Sequence, residues 1–152
     1  MIRTKVLFVC AENTGRSQMA KAFLNQMASD QFEAESGGFD RGCLNPIVVE
    51  AMREIGIDIS KSRSRSVFEL VQENRYYSYV VSVSNFAKSE PCPIFAGLTK
   101  RLSWSLEDPN SFMGPIPERL AKIRVVRDAI QLEVANFIKT YKEVKFEERI
   151  LV

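Results

Sequence analysis

A thiol, a guanidinium and a hydroxyl stand close together in the stretch Val9-Cys10-Ala11-Glu12-Asn13-Thr14-Gly15-Arg16-Ser17. Once ionised, a cysteine such as Cys10 is a strong nucleophile. Arg16 carries planar, paired donors that match a tetrahedral phosphate or arsenate. Between them the backbone N–H groups of Ala11, Glu12, Asn13, Thr14 and Gly15 can curl into a concave nest, backed by a helix dipole if a helix opens near Arg16. Such a nest is an oxyanion cradle with a thiol at its base. Its field favours the thiolate, and the Ser17 hydroxyl can donate a hydrogen bond to the sulfur. The chain has no histidine, so a Cys–His or Ser–His pair is excluded and Cys10 has to be activated in this other way. A strand-end cysteine taken alone is ordinarily a small buried hydrophobe. What favours the cradle is context: a strand before, a helix after, and Asn13 and Gly15, which tolerate left-handed backbone.

These side chains need a rigid mount. Lys5 to Cys10 (KVLFVC) is a continuous apolar run, as in a strand buried on both faces of a parallel sheet. Arg16 to about Met27 places Met19, Ala20, Phe23, Leu24 and Met27 at helical spacing. Cys10 is then at the carboxyl end of a strand, where α/β sheets hold their ligands. The alternation recurs. Phe32 to Phe39 reads as a second strand, and Asn45-Pro46 opens a helix that Gly56 closes. Ser66 to Glu73 is a shorter helix, and Tyr76 to Val83 a β-rich run. Arg101 to Leu106 alternates like a strand, and Pro117 to about Tyr141 is a long amphipathic helix. The tail from Glu143 to Val152 is open between an added strand and a loosely held end. This order predicts an α/β domain with a mainly parallel sheet.

Length and composition bound the rest. At 152 residues, one domain over 1–152 is expected. Lys plus Arg number 21 against 19 Asp plus Glu, which gives no case for a nucleic-acid surface. The three cysteines, Cys10, Cys43 and Cys92, are scattered, and the apolar start is too short for a leader or a membrane span, so a reducing cytoplasm is expected. A zinc site would have to be assembled from those thiols and carboxylates, and no metal is expected.

"VLFVCAENTGRSQMA" resembles the phosphate-binding loop of the low-molecular-weight protein tyrosine phosphatase superfamily, and Ser17-Gln18-Met19-Ala20 is more similar to its arsenate reductase branch. The likeness continues through "SGGF" at 36–39, "LNPIVVEAMREIGIDIS" at 44–60 and "WSLEDP" at 104–109. The resemblance implies a flavodoxin-like, three-layer fold with a four-stranded parallel sheet and helices on both faces. It implies Cys10 as nucleophile, Arg16 as oxyanion binder, Asn13 as a shaper of the loop and Asp108 as general acid, with Glu107 a weaker substitute. The implied activity is reduction of arsenate completed by an external thiol: thioredoxin, glutaredoxin with glutathione, or mycothiol. No bound cofactor is implied. The alternative is hydrolysis of phosphotyrosine or small aryl phosphates through a phosphocysteine.

Some positions depart from the family pattern. Of the two later cysteines that relay a disulfide in thioredoxin-coupled arsenate reductases, the first is Ser84 here and only the second, Cys92, is present. Cys92 is thus a candidate resolving thiol, and Cys43 a lesser one. Lys21 and Arg65 stand where some members use carboxylates for a monovalent cation, so bound potassium is not expected. Asn110-Ser111 follows Asp108-Pro109 in place of the aromatic residues of typical tyrosine phosphatases. "SKSRSRS" at 60–66 reads as a solvated loop with a helix cap, and Trp104, Tyr76, Tyr77 and Tyr79 as core.

Overall fold

The computed structural model describes residues 3–40, 42–83 and 97–151, with side chains described up to residue 142. In chain order the elements are β1 (Thr4–Cys10), α1 (Arg16–Met27), β2 (Phe32–Gly38), α2 (Pro46–Arg53), α3 (Val67–Gln72), β3 (Tyr79–Ser82), β4 (Lys100–Ser103), a 3-10 turn (Pro109–Ser111) and α4 (Ile116–Leu151). The strands form one parallel sheet in the order β2-β1-β3-β4. This is the flavodoxin-like arrangement expected.

Side chains alternate across a strand, so β1 feeds both faces of the sheet. Val6, Phe8 and Cys10 enter the larger core, which holds Met19, Ala20, Phe23 and Leu24 of α1, Val48, Ala51 and Met52 of α2, and Ile123, Ile130 and Val134 of α4. Leu7 and Val9 enter a smaller core with Val67 and Leu70 of α3 and with Tyr77 and Val80. Helices therefore cover both faces. Each large side chain buried this way contributes about 1.5–3 kcal/mol. Parity also aims the Cys10 side chain at the face that α1 covers.

The chain leaves β1 toward β2 on one side and returns to β3 on the other. Connections diverging from neighbouring strands open a crevice at their carboxyl ends. Cys10 is at that end of β1, with Gly38 opposite it on β2.

Several boundaries differ from the sequence reading. The third strand is only Tyr79–Ser82: Tyr77 is buried in the smaller core, whereas Tyr76 is exposed and its hydroxyl donates to the Leu98 carbonyl (2.8 Å). β4 ends at Ser103, after which Trp104 packs on Phe8 and Phe137 with ring centroids 5.6 and 6.4 Å away. Gly56 takes φ +82 while the Ile57 N–H donates to the Met52 carbonyl (3.0 Å), closing α2 as expected. The tail neither adds a strand nor departs from the helix, because α4 continues to Leu151. Among the described residues no helix is long and apolar enough to cross a membrane. Ser84 and Cys92 lie outside the described residues.

Candidate active site

Residues 11–15 join β1 to α1, and every one of their carbonyls is bonded to another group. The Ala11 carbonyl accepts from Phe39 N–H (2.8 Å) and Asp40 N–H (3.1 Å), that of Glu12 from Gly42 N–H (3.2 Å), that of Thr14 from Asn45 N–H (3.0 Å) and that of Gly15 from Met19 N–H (2.9 Å). The Asn13 carbonyl accepts from Gln18 Nε2 (3.2 Å) and Ser64 Oγ (3.0 Å). Across a trans peptide, the C=O of one residue and the N–H of the next point in opposite directions. With the carbonyls held by surrounding segments, the N–H groups of residues 12–16 turn to the other side, toward the loop's concave centre. No side chain caps the N-terminus of α1 and no acidic residue lies in its first turn, so its field adds to theirs.

The turn in the loop is made by Asn13, which is fully buried at φ +58. Gly15, the other residue expected to tolerate left-handed backbone, has φ −149 instead. A Cβ there would meet Pro109 Cγ at 3.4 Å and Val48 Cγ2 at 3.5 Å, ordinary van der Waals distances, so packing does not demand a glycine at this position.

Cys10 Sγ is 2.8 Å from Ser17 Oγ, and Ser17 Oγ donates to Asn13 Oδ1 at 2.6 Å. One hydroxyl hydrogen cannot serve both contacts. With that hydrogen on Asn13, the sulfur must be the donor, as a thiol. In a thiolate state the hydroxyl turns to the sulfur, and a half-turn of the Asn13 amide about its Cβ–Cγ bond would exchange Oδ1 for Nδ2, which is buried and without a partner among the described groups, as donor to Ser17 Oγ. The trio can thus bond either protonation state of Cys10.

Arg16 is buried, and its Nη1 donates to the Leu106 carbonyl (2.8 Å) while Nη2 is 3.8 Å from Asp108 Oδ2. Cys10, Ala11, Glu12, Thr14, Gly15 and Arg16 line one side of a small pocket, with Asp108 and Asn110 on the other. The structure therefore brings together Cys10, Arg16, the loop and Asp108, as the sequence reading required. Ser17 lies beneath, against the sulfur. Glu107 is exposed and is not among the residues lining the pocket.

Other expectations resolve differently. Cys43 is exposed between Gly42 and Asn45, the two residues that tie their segment to the loop. The segment at 60–66 is more than a solvated loop, since Ser64 and the Arg63 carbonyl bond Asn13 and Gln18 beneath the cradle. Its Ser66 caps α3. Burial pushes the Lys21 ammonium below its ordinary range, with nearby Glu35 opposing and Arg65 adding to that shift. Among the described residues no cluster of three or more His, Cys, Asp or Glu is placed to hold a metal ion.

Two supporting roles have no local sequence signal. A Cβ on Gly38 would lie 2.7 Å from the Asn13 nitrogen and from the Glu12 carbonyl carbon, so a glycine is needed where β2 meets the loop. Asn45, read only as a helix start, caps α2 through Ile47 N–H (2.9 Å) and also bonds the loop and Asn110.

The sequence profile of the low molecular weight phosphotyrosine protein phosphatases matches residues 5–148. The chain belongs to that family. Among its curated relatives, the arsenate reductase of Shouchella clausii (strain KSM-K16) is 34% identical over 140 residues, spanning 92% of this chain and 99% of the relative. A solved arsenate reductase in the phosphate binding state superimposes with a TM-score of 0.74 at 29% identity, over 90% of this chain and 98% of that one. The low molecular weight protein tyrosine phosphatase of T. tengcongensis shares the fold, with a TM-score of 0.72 at 23% identity over 90% and 99% of the two chains. Members of this family and these relatives are enzymes, and the pocket at the end of β1 is where this chain gathers the Cys10 thiol, the Arg16 guanidinium and the Asp108 carboxylate.

Proposed function

We propose that this chain is a cytoplasmic arsenate reductase. The observation that carries the reading is the loop whose carbonyls are all bonded away from Cys10, leaving N–H groups and Arg16 to receive a tetrahedral oxyanion. The arsenate reductases that align along nearly its whole length favour arsenate as that oxyanion.

In the proposed chemistry the Cys10 thiolate attacks arsenic(V) and forms an S–As bond. The departing oxygen leaves as water after taking a proton from Asp108, while Arg16 and the loop N–H groups hold the remaining oxygens. A donor thiolate then attacks the sulfur of Cys10. The S–As bond breaks with its electron pair on arsenic, which leaves as arsenite, arsenic(III), and the two sulfurs become a disulfide. A second donor thiol restores Cys10. The donor is an external thiol of the thioredoxin, glutaredoxin–glutathione or mycothiol type, with Cys92 the candidate resolving thiol within the chain.

A phosphatase reading draws on the same feature, Asp108 facing the pocket, since the aryloxide leaving group of a phosphotyrosine needs a proton as well. Arsenite release from arsenate is measured with each donor system separately, beside hydrolysis of phosphotyrosine. Arsenite sustained by at least one donor is expected. Efficient phosphotyrosine hydrolysis with no arsenite from any donor would replace the reductase reading with the phosphatase one. Cys10→Ser is expected to lower either turnover by roughly 10⁴-fold or more. Full activity in a folded Cys10→Ser protein would end both readings.

A further inference from the structure

The turn that carries Asp108 lies on the surface, and one side chain fastens it to the oxyanion loop. Asn110 Nδ2 donates to Thr14 Oγ1 at 2.8 Å, and its Oδ1 accepts from Asn45 Nδ2 at 2.7 Å. Its backbone N–H donates to Asp108 Oδ1 at 2.9 Å. Asn45 is itself anchored, by its own N–H to the Thr14 carbonyl and as the cap of α2. A single residue thus touches the loop, a helix cap and the carboxylate. With Oδ1 committed to that N–H, the Asp108 carboxyl presents Oδ2 toward Arg16.

We propose that Asn110 is a positioning residue that sets Asp108 over the cradle, through a clasp made of Thr14, Asn110 and Asn45. The side chain of Asp108 is 43% exposed, so burial does not determine where it sits. What holds its turn is the buried Pro109 together with directional bonds, namely this clasp and the Arg16 bond to the Leu106 carbonyl. A displacement of about 1 Å in a proton donor is enough to cost up to 10²-fold in rate. The substrate need not touch Asn110 for this to matter.

The kinetic part of this inference rests on the proposed function, and the structural part does not. The experiment compares the full-length protein with Asn110→Ala and with Asn110→Leu, which keeps the branching at Cγ and removes both side-chain bonds. Asn110 is exposed, so both variants are expected to fold. Each is expected to lose about tenfold in kcat for whichever activity the parent shows, with KM changed less than about twofold. In an Asp108→Asn background the same substitutions are expected to cost nothing further, because their effect passes through the carboxylate. A loss that multiplies with that of Asp108→Asn would mean Asn110 acts by another route, and would overturn the proposal.

Hydrogen exchange of the amides in 104–114 reads the clasp without turnover. Faster exchange confined to that segment is expected in both variants. Unchanged exchange overturns the clasp even if the parent reduces arsenate. If the parent turns over neither arsenate nor phosphotyrosine, the proposed function falls and the exchange data alone decide the clasp.

Discussion

The oxyanion loop and the acid turn face each other across one pocket, yet they are built by opposite means. The loop is part of the core: Asn13, Thr14, Arg16 and Ser17 are buried, and its carbonyls are taken up by Phe39 and Asp40 just past β2, by Gly42 and Asn45, by Ser64 and by α1. The acid turn follows β4, a four-residue edge strand, and is held at the surface by a few polar bonds and the buried Pro109. Changes of shape in the loop therefore reach the core, whereas the turn that carries Asp108 is tied to the rest of the fold by fewer contacts. Under the proposed function, affinity for an oxyanion and the rate of chemistry on it should therefore be separable.

Arg16 is where the two halves meet, and its replacement should break the distinction most severely. Arg16→Lys removes the planar fork and one of the ties to Leu106 and Asp108. The expected outcome is a loss of roughly 10²–10³-fold in kcat/KM, together with weaker binding of inorganic phosphate. Steady-state kinetics and phosphate titration check both. Asp108→Asn should sharpen the distinction: kcat falls by about 10²-fold while phosphate affinity, measured in the Cys10→Ser protein, is unchanged. A matched loss of affinity would show that the two halves are not separable.

Stability should divide in the same way. Gly38→Ala forces a methyl against the backbone of Glu12 and Asn13, at a cost of about 1–3 kcal/mol in urea unfolding. Ser111→Ala in the acid turn should stay within about 0.5 kcal/mol. Equal losses at the two sites would contradict the contrast between core-built and surface-built halves.

The smallest effect concerns a brace remote from both. The Arg124 hydrogen bond, with the charges of Arg124 and Arg127, holds the Glu54 carboxyl below its ordinary value against the opposing effect of desolvation. Because the folded state favours the carboxylate, this contribution is present above the ordinary carboxylate range. It is lost as pH falls through the depressed value. The stability gap between the parent and Glu54→Gln should thus shrink between neutral pH and about pH 3, as read by urea unfolding. A gap independent of pH would refute the assignment.

Much of this was legible in the chain itself. The unbroken apolar run of β1 announced a central strand because a strand buried on both faces has no polar side to show, and the 3.6-residue spacing in α1 and α4 announced amphipathic helices. Cys10, Arg16 and Ser17 were legible because a strand end and a helix start lie next to each other in sequence. Asp108 was found only through resemblance, since Asp-Pro alone reads as a turn. Element ends were the weaker part: Tyr76 is exposed although it continues a β-rich run, and α4 continues through residues whose pattern carried no clear period.

The order of elements and the local chemistry of the cradle follow from the residues themselves, because strand, nest and helix dipole are made by contiguous chain. The roles of Gly38, Asn45, Ser64 and Asn110 come from segments far apart in sequence. A missing Cβ at Gly38 has meaning only once the loop lies against β2, and the Asn110 amide has partners only once β4 has carried it back to Thr14. Close approach and directional hydrogen bonding between distant segments exist in the folded chain alone.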